Sequence, residues 1–333
     1  MKNKPIISII IPHYNSPELL RKAILSAAVN DNVEVIVVDD KSNLTETQFA
    51  TLERFCCQHH ANFYRNTTDK KGAGVCRNIG LSHMTGDWLL LLDADDYFMD
   101  SWYEVVVKYL YQKYDMVYFP PKSINLNTGK DDGRTLTYQN LVNDYLREPS
   151  TEHEIALKYR FCSSCSKLVK SDLFEQNNVR FDETLVSNDV MFFTKCAYYS
   201  KAIAVDKMPI YMVTRSGGSL TSKKDISRFM TRVDVLIDRY HYLEERLSPE
   251  KFRAIHLNWY ATARIADAIL SGYGVGVAFK TYEKFKSEGI RVVDKEMFYP
   301  WNLIKNVRTE LIWHLGIAQS RNKKKAKNCS DGC

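Results

Sequence analysis

No stretch of this sequence approaches the roughly 18 to 20 uninterrupted apolar residues that cross a bilayer. The opening residues MKNKPIISIIIPHYN are too short for an export signal and lack a small-residue cleavage site, so a cytoplasmic protein is expected. Eight cysteines, at 56, 57, 76, 162, 165, 196, 329 and 333, follow no repeating framework, and without export they are expected to be reduced. Cys162 and Cys165 have CxxC spacing, and Cys56, Cys57, His59 and His60 lie close together. A structural zinc site usually needs two well-spaced ligand pairs, so both groups read as buried or loop thiols. No internal repeat is found. The net charge of +6 is modest and sits partly in RNKKKAK, Arg321 to Lys327, and no nucleic-acid partner is expected. A G-x-G-x-x-G turn is missing after the first apolar run, which ends in PHYNSP; GAGVCRNIG is a loose match placed later. That disfavours a dinucleotide-dependent oxidoreductase.

What is present is a series of buried-strand signals that end in acids. At 333 residues, 45% hydrophobic and 26% charged, the chain has room for one large domain and an accessory one. In Gly86 to Met99, GDWLLLLDADDYFM, the apolar run Trp88 to Leu92 leads directly into Asp93, Asp95 and Asp96. An apolar run without alternation suits a strand buried on both faces of a mostly parallel sheet. The acids then emerge at its carboxyl end, where open α/β sheets bind ligands. Three crowded carboxylates repel one another unless a cation or a donor-rich partner compensates, which marks a place for a divalent metal.

Taken in order, Pro5 to Pro12 predicts a central strand, and HYNSPELL turns into a helix capped by Asn15 or Ser16 with Pro17 in its first turn. Val33 to Val38 is a second buried strand that ends in Asp39 and Asp40. Two βα units in succession imply a parallel sheet. A helix over Thr45 to His60, a short strand ANFYRN, and a glycine-containing stretch from Lys70 to Gly86 with its helix precede the acid-tipped strand. Beyond it a helix is expected to about Tyr114, a strand over Met116 to Phe119, and a surface loop from Pro120 to about Arg134. Helix is expected over Tyr138 to Tyr159, a strand then a helix over Phe161 to Gln176, a helix from near Asp189, and a last strand over Ala202 to Tyr211. RSGGSLTS, Arg215 to Ser222, reads as a flexible loop. After it, Phe229, Val233, Leu236, Tyr240, Leu243 and Leu247 mark a long amphipathic helix. Further helices are expected at about Pro249 to Gly272, Val277 to Ser287 and Leu303 to Gln319.

Four blocks in order, SIIIPHYNSPELLRKAILSA, VEVIVVDDKSN, GAGVCRNIGLSHMTGDWLLLLDADDYF and VRFDETLVSNDVMFF, resemble a family 2 glycosyltransferase of the GT-A fold over roughly residues 5 to 222. The resemblance implies an α/β domain with a mostly parallel central sheet flanked by helices over residues 1–222. Its nucleotide-sugar part is about 1–120 and its acceptor part about 121–222, with a helical region at 223–320 and a basic tail at 321–333. It further implies a UDP-sugar donor, Mn2+ or Mg2+, inversion at the transferred carbon, and bacterial surface-polysaccharide or glycolipid synthesis. Asp93 and Asp95 would form the DxD motif, Asp95 as principal metal ligand and Asp93 toward the ribose or a metal-bound water. Asp96 either caps the next helix or acts directly. Asp40 would bind the base, with Pro12, Tyr14 and Asn15 shaping the nucleoside pocket; Tyr14 either touches the nucleotide or packs, and Asp39 holds the loop. Arg77 and Asn78 match an ARN segment with Cys76 in place of Ala, and Arg77 binds phosphate or acid, or holds the sheet's end by an ion pair. The family carries its base in a Glu-Asp pair after an RFDE-like segment. Arg180 to Glu183 match, but the pair here is Asn188-Asp189, so Asp189 takes the role of base, the alternative being a helix cap. Arg215, Ser219 and Thr221 either contact the diphosphate or lie in a linker.

No QxxRW-like motif follows, which argues for addition of one sugar per encounter. Trp301 to Ile317 and the basic tail form either an interfacial helix on anionic lipid, suited to a lipid-linked saccharide acceptor, or a helix packed on the catalytic domain. The helix Phe229 to Leu247 either makes a homodimer or closes the acceptor site. A phosphotransfer receiver or an aspartate-nucleophile phosphatase also places acids at strand ends, but neither accounts for the length and the later FDE and ND block. The non-catalytic rival is a degenerate transferase-like protein that binds a nucleotide sugar or a partner enzyme.

Overall fold

The computed structural model describes residues 6–215 and 225–292. They form two compact units, one from residues 6–131 and 135–215, the other from 132–134 and 225–292. The first begins with β1 (Ile7–His13), α1 (Pro17–Ala27), β2 (Val33–Asp39), α2 (Glu46–Gln58), β3 (Ala61–Arg65), α3 (Ala73–His83) and β4 (Trp88–Leu91). It continues through β5 (Tyr97–Phe98), α4 (Trp102–Val106), β6 (Met116–Tyr118), β7 (Lys122–Asn125), α5 (Leu136–Arg147) and α6 (Thr151–Arg160). The remaining elements are β8 (Lys167–Lys170), α7 (Ser171–Glu175), α8 (Val190–Tyr199), β9 (Ile203–Val205) and β10 (Tyr211–Arg215).

Seven strands form the main sheet in the order β3-β2-β1-β4-β8-β6-β9. β1 lies inside it, beside the central β4, in parallel register with both neighbours, Ile10 facing Ile36 of β2 and Leu91 of β4. β8 runs against β4 and β6, while β9 is parallel to β6. The uninterrupted apolar runs have the predicted cause: every residue of β4 is buried, and β1 and β2 are almost entirely so. Gly86 is required where the chain enters β4, because a Cβ there would stand 2.5 Å from Ser8 Oγ. That oxygen accepts the Gly86 N–H at 2.9 Å. Helices start where the chain supplies caps: Thr45 and Gln48 form a reciprocal capping box on α2, and Pro17 opens α1.

Several expectations are corrected. The segment from Pro120 to Arg134 is not all loop, since β7 pairs in parallel with β10, Ser123 opposite Val213. The expected strand Ala202 to Tyr211 is two strands in two sheets, β9 beside β6 and β10 at the centre of a small sheet β5-β10-β7. Asp206 breaks it by accepting from its own downstream backbone, Met208 N–H at 2.8 Å, the turn chemistry of aspartate. The helix after Met99 is only α4, followed by turns, and the helix expected over Tyr138 to Tyr159 divides into α5 and α6, with Ser150 capping the second.

The second unit contains α9 (Ile226–Glu244), α10 (Pro249–Ile255), α11 (Leu257–Leu270) and α12 (Val275–Ser287). α9 buries Phe229, Val233, Leu236, Tyr240 and Leu243, the face its spacing predicted. The helix expected over Pro249 to Gly272 is broken at His256, whose φ of 59° is left-handed. Among the described residues no helix is long and apolar enough to cross a membrane. The expected helix Leu303 to Gln319, the basic tail, Ser219 and Thr221 lie outside the described residues.

Candidate active site

The carboxyl ends of β1 and β2 are stitched together before any ligand is considered. His13 Nδ1 lies 2.8 Å from Asp39 Oδ1, and the Ser16 amide donates to His13 Nε2 at 3.1 Å, so Nδ1 carries the ring proton and donates it. Ser42 adds its amide to Asp39 Oδ2 at 2.9 Å and its hydroxyl to Oδ1 at 2.6 Å. Burial alone would raise the Asp39 carboxyl, but the His13 and Ser42 donors outweigh it and hold the group below its ordinary value. Asp39 is thus the acid that holds the loop. Asp40 accepts from Asn66 Nδ2 at 2.9 Å and from the Gly72 amide at 2.8 Å, which fastens the end of β2 to the start of α3. Pro12 pairs opposite Val38 in β2. Asn15, at a left-handed φ of 53°, accepts from Asn43 N–H at 2.7 Å and donates its own amide to Ser42 Oγ at 2.8 Å. Tyr14 is 46% exposed, with the Lys71 ammonium 5.7 Å from its ring centre, so its ring does not serve the core.

At the end of β4 the three acids of DADD part company. Asp96 is buried and accepts from Tyr211 Oη at 2.8 Å and from Thr214 N–H at 2.7 Å, both on β10. It therefore ties the small sheet to the large one and caps no helix; Ser101 stands at the start of α4. Burial, then Asp93 and Asp95, push its carboxyl well above the ordinary range. Tyr211 Oη also accepts the Asp93 amide at 3.1 Å. The Thr214 hydroxyl donates to the Asp95 carbonyl, so β10 grips both sides of the turn. Asp95 is exposed. Asp93 is 36% exposed at its side chain, with Oδ1 2.6 Å from Arg77 Nη2. Arg215 follows Thr214 directly at the end of β10.

Arg77 joins this turn to the downstream block. Buried in α3, it donates to Asp93 through Nη2, to Asn188 Oδ1 through Nη1 at 2.5 Å, and more weakly to Ser164 Oγ at 3.4 Å. Burial disfavours its charge, but Asp93 and Asp189 more than compensate and hold it firmly protonated. The neighbouring Asn78 clamps the RFDE segment, donating to Phe181 O at 2.9 Å and accepting the Phe181 N–H at 2.8 Å. Gly74 permits this approach, since a Cβ would lie 2.0 Å from the Asp182 carbonyl. Lys70 pairs with Glu183 at 2.5 Å across the same junction.

Asp189 occupies the position before α8 yet makes no side-chain cap. Its Oδ2 instead accepts the Ser164 N–H at 2.8 Å. Burial pushes its carboxyl up, Arg77 pulls it back and Asp93 adds to the rise; the net direction is upward. The Asn188 side-chain oxygen accepts from Arg77 Nη1. Ser164, Tyr211 and Thr214 were not singled out in the sequence, because their partners lie far along the chain, and Lys167 was not because its burial is a product of the fold. Their signal was confined to polar residues within otherwise apolar strand-forming stretches.

The donor set suits a divalent cation on chemical grounds. Asp93 and Asp95 supply oxygen ligands beside a buried acid that their charge already disturbs, and magnesium or manganese is commonly held by one or two carboxylates plus substrate phosphates. Among the described residues no group of three or more His, Cys, Asp or Glu forms a metal cage. Cys56, Cys76, Cys162, Cys165 and Cys196 are free and buried, while Cys57 is exposed.

A mostly parallel α/β sheet with its acids at the ends of β2 and β4 is the GT-A architecture, and the chain belongs to glycosyl transferase family 2, whose pattern matches residues 8–177. Among curated relatives, the poly(ribitol-phosphate) beta-N-acetylglucosaminyltransferase TarS of Staphylococcus aureus is 25% identical over 226 residues, 65% of this chain and 37% of TarS. The chain thus spans well under half the length of that relative. The crystal structure of TarS 1–349 in complex with UDP-GlcNAc is similar with a TM-score of 0.67 at 17% identity, covering 96% of this chain and 92% of that one. The mannosyltransferase PcManGT of Pyrobaculum calidifontis, in complex with GDP-Man and Mn2+, has a TM-score of 0.55 at 15% identity, covering 95% and 86%.

Proposed function

We propose that this chain is a metal-assisted, inverting glycosyltransferase that moves one sugar from a UDP-sugar to a hydroxyl of a saccharide acceptor, lipid-linked or polymeric, in bacterial surface-polysaccharide synthesis. The observation that carries the reading is Arg77: one guanidinium bonds Asp93 of the DADD turn and Asn188 beside Asp189. Donor-side and acceptor-side acids are thereby held around one buried cation. In this reading Pro12, Tyr14, Asn15 and Asp40 receive the nucleoside, Asp40 by accepting the base N–H. Asp93 and Asp95 would hold Mn2+ or Mg2+ at the diphosphate, and Arg215 adds positive charge on the same side. The cation, when bound, neutralises charge on the departing diphosphate as a Lewis acid.

Asp189 takes the proton from the attacking acceptor hydroxyl. The carboxylate must be ionised to accept that proton, and the Ser164 amide holds one of its oxygens in place. With one base and no carboxylate nucleophile identified, a single in-line displacement with inversion follows. Attachment to an anionic membrane through the 301–327 region, a homodimer through α9 and a place on the cytoplasmic face belong to the same proposal. A panel of nucleotide sugars, with and without manganese, tests it by nucleotide release and by binding. Manganese-dependent release with one UDP-sugar is expected. Binding without turnover for every donor and acceptor would favour the degenerate, non-catalytic protein.

A further inference from the structure

Lys167 is the first residue of β8 and is almost fully buried, at 1% exposure. Its ammonium has no carboxylate within bonding distance among the described residues. It donates to the carbonyls of Ser163 and Cys165, the latter at 3.5 Å, and sits 4.0 Å from the Phe161 ring centre and 4.1 Å from that of Phe193. A lysine is rarely buried unless paired, and here two carbonyls and two aromatic faces replace the missing acid. The carbonyls it grips bracket Ser164, whose amide donates to Asp189 and whose hydroxyl accepts from Arg77. Ser166, at a left-handed φ of 58°, closes this short loop, and its carbonyl accepts the Phe119 N–H at 3.1 Å.

From this geometry we infer that Lys167 is a positioning residue for Asp189: its buried ammonium fixes the 163–166 loop so that the Ser164 amide meets the carboxylate. The inference rests on the reading of Asp189 as the base. Burial pushes Lys167 down to about 8, so the positive charge is present at neutral pH and is lost on mild alkalinisation. The groups that face Asp189 are Arg77 from α3, Asp93 from the turn after β4 and Lys167 from β8. Those facing Lys167 are Cys162 and Cys165 from the loop, Asp189, and Cys196 from α8. Lys167 thus acts on the base beside Arg77, the cation that Asp93 pairs with.

The test compares the full chain with Lys167→Met, Lys167→Gln and Lys167→Arg. The Asp189 carboxyl titration is followed by 13C NMR, its signal assigned by loss in Asp189→Asn, alongside melting temperature, UDP binding and turnover. Met and Gln should raise the Asp189 midpoint by about one pH unit. They should also lower kcat about tenfold with donor KM and UDP affinity unchanged, whereas Arg restores the midpoint. A midpoint unmoved in both neutral variants overturns the inference. So does failure of both to fold while Arg folds, which would make Lys167 a core residue alone. Because the midpoint is read without turnover, these outcomes are distinct from failure of the base assignment, which appears as full activity in Asp189→Asn.

Discussion

The strand ends at Asp39-Asp40 and at Asp93 to Asp96 are built on the same plan and reach opposite electrostatic results. Each turns one aspartate inward to hold a loop, Asp39 toward Ser42 and Asp96 toward Tyr211 and Thr214, and leaves a neighbour more exposed. Burial penalises both inward carboxylates. At β2 the groups against the carboxylate are donors, the His13 ring N–H and the Ser42 hydroxyl and amide, and Asp39 falls below its ordinary value. At β4 burial is joined by the charges of Asp93 and Asp95, and Asp96 rises well above it. The first end is electrostatically closed by the protein itself. The second keeps an excess of negative charge against which Arg77 is the bonded cation, and that excess is what a divalent ion would offset.

The sharpest way to break the comparison is to separate proton removal from donor binding. Asp189→Asn should lower kcat about 10²- to 10⁴-fold while UDP affinity, read by calorimetry, stays unchanged. Surviving transfer would remove Asp189 as the base. Next in size, Asp95→Ala should weaken manganese-dependent donor binding by more than about tenfold, with metal-independent binding of the nucleoside retained. Equal metal affinity in the two proteins would sink the ligand assignment.

The smallest effects concern stability, and they have opposite pH dependence at the two ends. Asp39→Asn should cost about 1.5–3 kcal/mol at neutral pH, the worth of hydrogen bonds to a charged group. Its folded value is depressed, so that stabilisation is full above the unfolded carboxyl value of about 3.9 and is lost as pH falls through the folded value. For Asp96 the folded value is raised, and the sign reverses. The advantage of the native residue over Asp96→Asn is greatest below about pH 3.9 and diminishes as pH rises through the raised value. Urea unfolding of both variants across acid to neutral pH checks the pair. Parallel pH dependences would refute the contrast between the strand ends.

Much of the first half of the main sheet was legible because burial on both faces leaves a local mark. The runs Ile7 to Ile11, Val35 to Val38 and Trp88 to Leu92 carry no alternation, and each ends where polar residues begin. The small sheet carries no such mark. β5 is two residues long, β7 lies in a polar stretch, and β10 is separated from β9 by an aspartate turn. It is assembled by pairing across the chain and fastened by Asp96 to Thr214, 118 residues away. The distinction between Asp93, Asp95 and Asp96 was illegible for the same reason, since identical side chains in one turn differ only in what the fold places against them.

Residue type and order alone determined a mostly parallel α/β domain, the acid-tipped ends of β2 and β4, and the amphipathic face of α9, because apolar periodicity and strand-end acids are local properties of the chain. Only the tertiary structure decided that Asp96 is a tie between sheets, that Arg77 spans Asp93 and Asn188, and that Asp189 accepts from Ser164 and caps nothing. Those outcomes depend on contacts between residues 16 to 118 positions apart. No local pattern encodes such contacts, and in a buried site they set which carboxylates are held, which are raised and which remain open to a ligand.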